Sequence, residues 1–273
     1  IWFTNCYANS FRTDRGTVCT FSGYQSFPDL SVMKIPAKSR TLPSIAGKLV
    51  KEGYRTDFLY GGDINFTNMK SYLLESGYQK LTADTDFPMS QHQNAWGVND
   101  DITFDHLYQM LKDRKDSLWH TAFLTLSSHE PFKVPYHRLK EKQPNAFAFT
   151  DHCLGEFVER IRKTPIWNNL LIICLPDHGF YYPAEGNGHD ARIHHIPMLW
   201  LGGAVKQPMV IDQLMNQSDL AATLLAQLDI DHSEFNFSRN ILGTEYTYPF
   251  AYWTFGGGCA FADSTGVTLM DLN

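Results

Sequence analysis

Apolar residues along this chain fall into two kinds of pattern. Short continuous runs rich in β-branched and aromatic residues read as strands, and stretches with apolar residues three and four apart read as helices. Strands are expected at 54–60, 122–126 and 170–175, with another strand-like run at 196–201 after His194 and His195, which both read as structural. Leu42, Ile45, Ala46, Leu49 and Val50 define a helix with Pro43 in its first turn and Gly53 at its end. Further helices are expected at 68–76 (ended by Gly77), 101–115, 149–162 and 219–227. The charged, Pro-containing stretch 133–145 reads as exposed loop, and the tail 250–271 as a terminal hairpin. Between 82 and 101 the chain is polar and irregular, and Met89, Trp96 and Gly97 there suit either surface packing or a lid facing substrate. Strands alternating with helices predict an α/β fold, and no repeat or composition break divides residues 1–273, so one domain is expected.

Composition narrows the choice of partners. With 273 residues and 43% apolar content, the chain can bury a full core. Its 23 basic and 29 acidic residues leave a formal charge of −6, which argues against nucleic acid. No apolar stretch approaches the roughly 18–20 residues that span a bilayer. Five cysteines show no metal-binding spacing. Cys174 reads as a packing residue, whereas Cys6 and Cys19 bracket the segment 9–17 and stand as a possible pair in an oxidising compartment.

Three segments carry candidate chemistry. The run 170–175 ends in Pro176-Asp177-His178-Gly179, which puts a carboxylate and an imidazole at the carboxyl end of a strand. That is where open α/β sheets place their ligands, and the pair suits Zn²⁺, Mn²⁺ or a similar ion; a surface turn with a satisfied Asp is the bland alternative. The run 122–126 leads likewise into Ser127-Ser128-His129-Glu130-Pro131-Phe132, where His129 either faces the same crevice or caps a loop. Near the start, Asn9-Ser10-Phe11-Arg12-Thr13-Asp14-Arg15-Gly16-Thr17 sets a hydroxyl between two arginines ahead of a helix. Such a place suits phosphate, and Thr13 is a nucleophile there if a metal lowers its pKa; otherwise it is an N-cap beside solvated arginines. Asp151 and His152 also adjoin, but inside a helix, where a solvated or packing role is expected.

In order and spacing these segments resemble the sulfatase-like branch of the alkaline phosphatase superfamily, nearest the lipoteichoic acid synthase and phosphoglycerol transferase enzymes. Tyr60-Gly61-Gly62-Asp63 with Phe66 and Asn68, His195-Ile196-Pro197-Met198, and the helix from Ser218 to Leu225 extend the resemblance over nearly the whole chain. It implies an alkaline-phosphatase-like three-layer α/β/α sandwich around a mostly parallel sheet. Thr13 becomes nucleophile and metal ligand, Asp177 and His178 two further ligands, and His129 a substrate-contacting residue. His189 resembles a second active-site His of the phosphoethanolamine transferases, although Gly186-Asn187-Gly188-His189 also reads as a flexible loop. Arg12, directly before Thr13, is the better candidate than Arg15 for a non-bridging phosphate oxygen.

The departures from the family are informative. The C-x-P-x-R pattern of classical sulfatases is absent, and Thr13 stands at the nucleophile position, which argues against sulfate-ester hydrolysis. Family members place a metal-binding Glu at the end of a first core strand some tens of residues before the nucleophile. Here Ile1 is only twelve residues ahead of Thr13, so this strand and its Glu are expected upstream in a longer protein. The His, Trp and Arg that grip glycerol phosphate in lipoteichoic acid synthases correspond to Tyr60, Thr67 and Met69, so a different head-group pocket is expected. Asp63 would contribute there by holding a cationic or hydroxyl-rich group, unless it serves only the turn.

The resemblance thus implies a phosphotransferase using one Mn²⁺ or Zn²⁺, with Mg²⁺ less suited to a His ligand. Its partners would be a phospholipid donor and a hydroxyl acceptor of the cell envelope. The relatives imply a membrane anchor in an amino-terminal region and a catalytic domain outside the cytoplasm. Two alternatives are a phosphodiesterase or phosphonate hydrolase of the same superfamily, and a non-catalytic envelope protein that keeps the fold.

Overall fold

The computed structural model describes residues 1–182 and 186–272. In chain order the elements begin with β1 (Trp2–Tyr7), α1 (Thr13–Ser22), α2 (Pro36–Ser39), α3 (Ile45–Lys51), β2 (Arg55–Tyr60), α4 (Met69–Glu75) and β3 (Lys80–Thr82). Next come β4 (His92–Asn94), β5 (Gly97–Val98), α5 (Asp100–Lys112), β6 (Trp119–Leu124), α6 (Lys142–Ile161) and β7 (Ile172–Cys174). The remainder are α7 (Ala191–His194), β8 (His195–Leu201), β9 (Val210–Ile211), β10 (Met215–Asn216), α8 (Leu220–Gln227), β11 (Ala251–Phe255), β12 (Gly258–Asp263) and β13 (Gly266–Asp271). None of the described helices is long and apolar enough to cross a membrane.

Contacts group the chain into two units. The first comprises 1–48, 171–201 and 205–273, and the second 49–170 with 202–204. In the first unit β1 is central: it pairs in parallel with β9 at Trp2 and Phe3 and with β10 at Cys6 and Tyr7, and antiparallel with β8, which continues antiparallel to β7. This sheet is therefore mixed. The hydrophobic pattern does not announce β1, because Thr4 and Asn5 interrupt its apolar residues and a bulge falls between Phe3 and Cys6. The tail forms a three-stranded antiparallel meander, β11-β12-β13, rather than a two-stranded hairpin. Trp253 on β11 is fully buried.

A buried ion pair fixes the junction of β10 with α8 in this unit. Arg239 grips Asp219 with Nε at 2.9 Å and a terminal nitrogen at 2.5 Å, and the Asn216 amide donates to the same carboxylate at 2.7 Å. Burial raises the Asp219 pKa, with the Arg239 charge acting in the opposite direction.

The second unit holds an all-parallel sheet, β3-β2-β6, with Tyr60 opposite Leu124 at its carboxyl edge. Helices α5 and α6 pack together through Phe104 and Phe157, whose ring centroids are 5.6 Å apart, and through Arg160 and Asp105 at 2.8 Å. Helix α6 starts at Lys142, seven residues before the expected boundary, so the exposed loop is shorter than the charge and Pro content suggest. Pro144 lies in the first turn, where its missing N–H costs nothing. Likewise α3 begins after Pro43, at Ile45, with Ser44 Oγ accepting the Gly47 N–H at 3.0 Å. All five cysteines are free; Cys6 and Cys19 are each buried as thiols, not paired.

His120 gives this unit a predictable acid sensitivity. Its Nε2 lies 3.2 Å from Tyr78 Oη, and burial pulls its pKa down from 6.5 to about 4. The unfolded chain therefore binds a proton below pH 6.5 that the folded chain refuses until about pH 4. The stability this group contributes is complete above pH 6.5 and falls as the pH drops, by about 2 kcal/mol at pH 5. Urea unfolding at pH 7 and pH 5 should show a loss smaller by this amount in His120→Gln than in the wild type, because buried His194 contributes a similar loss to both. Equal losses in both proteins would remove His120 as its source.

Candidate active site

The site grows from the two ends of α1 and β7. Helix α1 follows β1 after a five-residue connection, with Arg12 extended as its N-cap and Thr13 as its first helical residue. Thr13 is thus not the cap, and its hydroxyl makes no hydrogen bond among the described residues. The first intrahelical donors are the Arg15 and Gly16 amides, both bonded to Arg12 O, which leaves the Thr13 and Asp14 N–H groups to be satisfied from outside the helix. Such a terminus favours an anion. The two flanking arginines differ. Arg15 spends its guanidinium on Phe27 O (3.1 Å) and Pro28 O (2.6 Å), whereas the Arg12 side chain is exposed.

Gly16 brings this turn onto the segment after β7. A Cβ at Gly16 would lie 1.8 Å from Asp177 O and 2.7 Å from its carbonyl carbon, so the helix rests directly on the Asp177 backbone. Gln217, fully buried, holds the same backbone from another side, donating from Nε2 to Pro176 O (2.9 Å) and Asp177 O (2.8 Å). Asn9, just before Arg12, accepts the Ser218 N–H at 3.0 Å and ties the front of α1 to the same segment. The strand end, the helix start and the 216–219 turn are therefore one backbone-locked assembly.

Asp177 and His178 are partly buried side by side. His178 Nδ1 lies 2.7 Å from Gly179 O; as the donor to that carbonyl it leaves Nε2 with a free lone pair. Nε2 stands 3.7 Å from Asp177 Oδ2, while Asp177 Oδ1 accepts the His178 N–H at 3.1 Å. Two donors each about 2.0–2.2 Å from one tetrahedral ion sit roughly 3.4 Å apart, so the pair fits a shared divalent cation. The carbonyl behind the imidazole is the outer-shell partner that ligating histidines commonly have. Among the described residues no group of three or more His, Cys, Asp and Glu could hold a metal ion, so Asp177 and His178 make only a two-donor pair.

The other expected residues are placed as follows. His189 belongs to the same unit, exposed, with its ring edge-on to Phe255 at 4.4 Å. His194 is buried and stacks on Trp253 at 5.4 Å, with burial lowering its pKa to about 4, in keeping with a structural residue. His129 and Asp63 belong to the second unit. His129 is exposed, with Nδ1 2.9 Å from Glu130 O and its ring 4.9 Å from Trp96. Asp63 Oδ1 accepts the backbone and side-chain N–H groups of Asn65 at 2.8 and 2.9 Å, closing a turn. Met69 is buried, so it serves the core rather than a head-group pocket.

Sequence reasoning passed over three positioning residues. Gly16 carries the available signal, an isolated Gly inside a helical pattern. Gln217 carries none. Asp100 resembles any acid in a first helical turn, yet it is fully buried: Oδ1 accepts the Leu126 (2.8 Å) and Ser127 (3.2 Å) N–H groups and Oδ2 the Thr150 hydroxyl (2.6 Å). Burial raises its pKa, with those hydrogen bonds opposing. Asp100 thereby anchors the segment that leads to His129.

The sulfatase family model matches residues 1–230. The chain belongs to the sulfatase family. Phosphoglycerol transferase I of Xanthomonas campestris pv. campestris (strain B100) is 23% identical over 214 residues, covering 72% of this chain and 30% of that protein. This sulfatase-family chain therefore spans about a third of such a relative. A solved protein of the alkaline phosphatase superfamily from Vibrio parahaemolyticus superposes with a TM-score of 0.86 at 23% identity, covering 99% of this chain and 70% of that one. The lipoteichoic acid synthase LtaP from Listeria monocytogenes superposes with a TM-score of 0.84 at 15% identity, covering 100% and 78%. The fold is that of the alkaline phosphatase superfamily, as the motif order implied.

Proposed function

We propose that this protein is a metal-dependent phosphotransferase. It moves a phospho-head group, phosphoglycerol or a close analogue, from a lipid donor to a hydroxyl of an envelope glycan or lipid through a phospho-Thr13 intermediate. The observation that carries the reading is the seating of the α1 turn on the Asp177 backbone, with the Thr13 hydroxyl making no hydrogen bond among the described residues. The similarity to a phosphoglycerol transferase and to a lipoteichoic acid synthase supports the choice of head group.

Asp177, His178 and Thr13 would hold the divalent ion, Mn²⁺ or Zn²⁺, whose Lewis acidity would lower the pKa of the Thr13 hydroxyl and polarise the phosphoryl oxygen. The Thr13 and Asp14 amides and the exposed Arg12 guanidinium bind non-bridging oxygens. Thr13 Oγ1 gives up its proton and bonds to phosphorus as the bond from phosphorus to the lipid oxygen breaks, and that oxygen leaves protonated as the lipid alcohol. An acceptor hydroxyl then attacks phosphorus, loses its proton, and Thr13 leaves as a hydroxyl again. His189, which belongs to the same unit as Thr13, serves as acid and base in these exchanges. A lipid donor implies an enzyme held at a membrane with its catalytic domain outside the cytoplasm.

Product analysis separates transfer from hydrolysis. With phosphatidylglycerol and a polyol or glycan acceptor, phosphoglycerol should appear on the acceptor in proportion to acceptor concentration. Release of free glycerol phosphate alone, unchanged by acceptor, would make the protein a phosphodiesterase instead.

A further inference from the structure

We infer that Asp14, paired with Lys34, is a specificity-determining residue that selects ligands by charge, favouring a singly charged phosphodiester over a doubly charged phosphomonoester; the inference rests on the phosphotransfer reading. Asp14 directly follows Thr13 in the first turn of α1. These two residues carry the N–H groups proposed to bind phosphoryl oxygens, so the Asp14 carboxylate belongs to the turn that would receive the anion. All the groups involved lie within residues 1–48 of the first unit.

Burial gives the Asp14 charge its reach. The residue is 6% exposed, whereas an acid in a first helical turn ordinarily sits in water and serves the helix dipole. Its carboxylate accepts no hydrogen bond among the described residues, so no N–H or O–H spreads the charge. Its one ion-pair partner among them is Lys34, with Nζ 3.5 Å from Oδ2. Lys34 is held there by the turn Val32–Lys34, in which Val32 and Met33 are buried and the Lys34 N–H donates to Ser31 O at 3.2 Å.

The pair is unequal. The Lys34 side chain is 55% exposed, against 7% for that of Asp14. Water therefore screens the cation more than the anion, and a net negative field remains at the start of α1. The arginines on either side do not cancel it. Arg15 points its guanidinium at Phe27 O and Pro28 O, and the Arg12 side chain is exposed. A phosphodiester carries one negative charge and a phosphomonoester nearly two above neutral pH, so this field repels the monoester about twice as strongly.

The test is calorimetric titration at about pH 8, with Mn²⁺ present, of wild type, Asp14→Asn and Lys34→Gln. The probes are glycerol 3-phosphate and its methyl diester, and the readout is the ratio of their dissociation constants. Asp14→Asn should shift the ratio roughly tenfold toward the monoester, and Lys34→Gln several-fold toward the diester. Each substitution removes one charge at nearly constant shape, so a merely structural pair would weaken both probes alike and leave the ratio unchanged. Lys34 is largely exposed, so Lys34→Gln keeps the fold whatever Asp14→Asn does to it. Unchanged ratios, ratios that move in the same direction, or no binding of either probe would overturn the inference. The Thr13 adduct is read separately. An adduct with unchanged ratios would remove this inference and leave phosphotransfer standing, whereas opposite shifts without an adduct would keep charge selection and remove the covalent step.

Discussion

Thr13→Ala is expected to lose at least on the order of 10³-fold in turnover while unfolding at the wild-type temperature. The two halves of this expectation have separate causes. Loss of the nucleophile removes the one protein atom proposed to bond to phosphorus. The hydroxyl makes no hydrogen bond among the described residues and is not the N-cap of α1, so its removal leaves no buried group unsatisfied. Alanine also suits a helical position slightly better than threonine, which keeps the stability change within about 0.5 kcal/mol. Thr13→Ser keeps a hydroxyl at the same place and should retain measurable turnover. Steady-state assays with phosphatidylglycerol, paired with thermal unfolding, measure both halves. Wild-type turnover in Thr13→Ala would end the nucleophile assignment, whatever the stability.

Gly16→Ala has the largest effect expected on stability, and its sign is diagnostic. In an open helix, alanine in place of glycine is worth about 1 kcal/mol of stabilisation. Here the added Cβ would fall 1.8 Å from Asp177 O, and the obstacle is backbone, which no rotamer change can clear. The variant should therefore lose about 1–3 kcal/mol, the usual cost of overfilling a packed contact. Relief requires α1 to move away from Asp177. A displacement of about 1 Å between nucleophile and ligand costs on the order of 10²-fold in rate, so turnover should fall with stability. Denaturant unfolding and turnover of the same preparation check the two effects together. Stabilisation by alanine would mean that α1 does not rest on Asp177.

The comparison of sequence and structure follows the range of the interactions. Asp177-His178 past a strand end is a local feature that period and punctuation locate, and a helix is found at Thr13 as expected, although it begins at that residue rather than after it. Helix α5 and the ends of α3 and α4 at Gly53 and Gly77 are local in the same way. What escaped the pattern is long-range. The approach of Gly16 to Asp177 joins residues 161 positions apart in sequence (177 − 16), and the Gln217 clamp on Pro176 and Asp177 spans about forty. Strand β1 escaped because polar residues interrupt it, and it is stabilised by neighbours on both sides rather than by its own propensity. The early start of α6 hid behind charge and Pro144, which a first turn tolerates. Trp96 was legible only as one residue of an irregular stretch; its contact with His129 is tertiary.

The most direct test of the account is the covalent intermediate. The protein, loaded with Mn²⁺ or Zn²⁺ and given phosphatidylglycerol without acceptor, should be acid-quenched, digested and sequenced by mass spectrometry. The account predicts a phosphoglycerol group on Thr13, absent from Thr13→Ala and discharged when a hydroxyl acceptor is added before quenching. Turnover of the lipid with Thr13 unmodified in every sample, or the adduct on another residue, would contradict it.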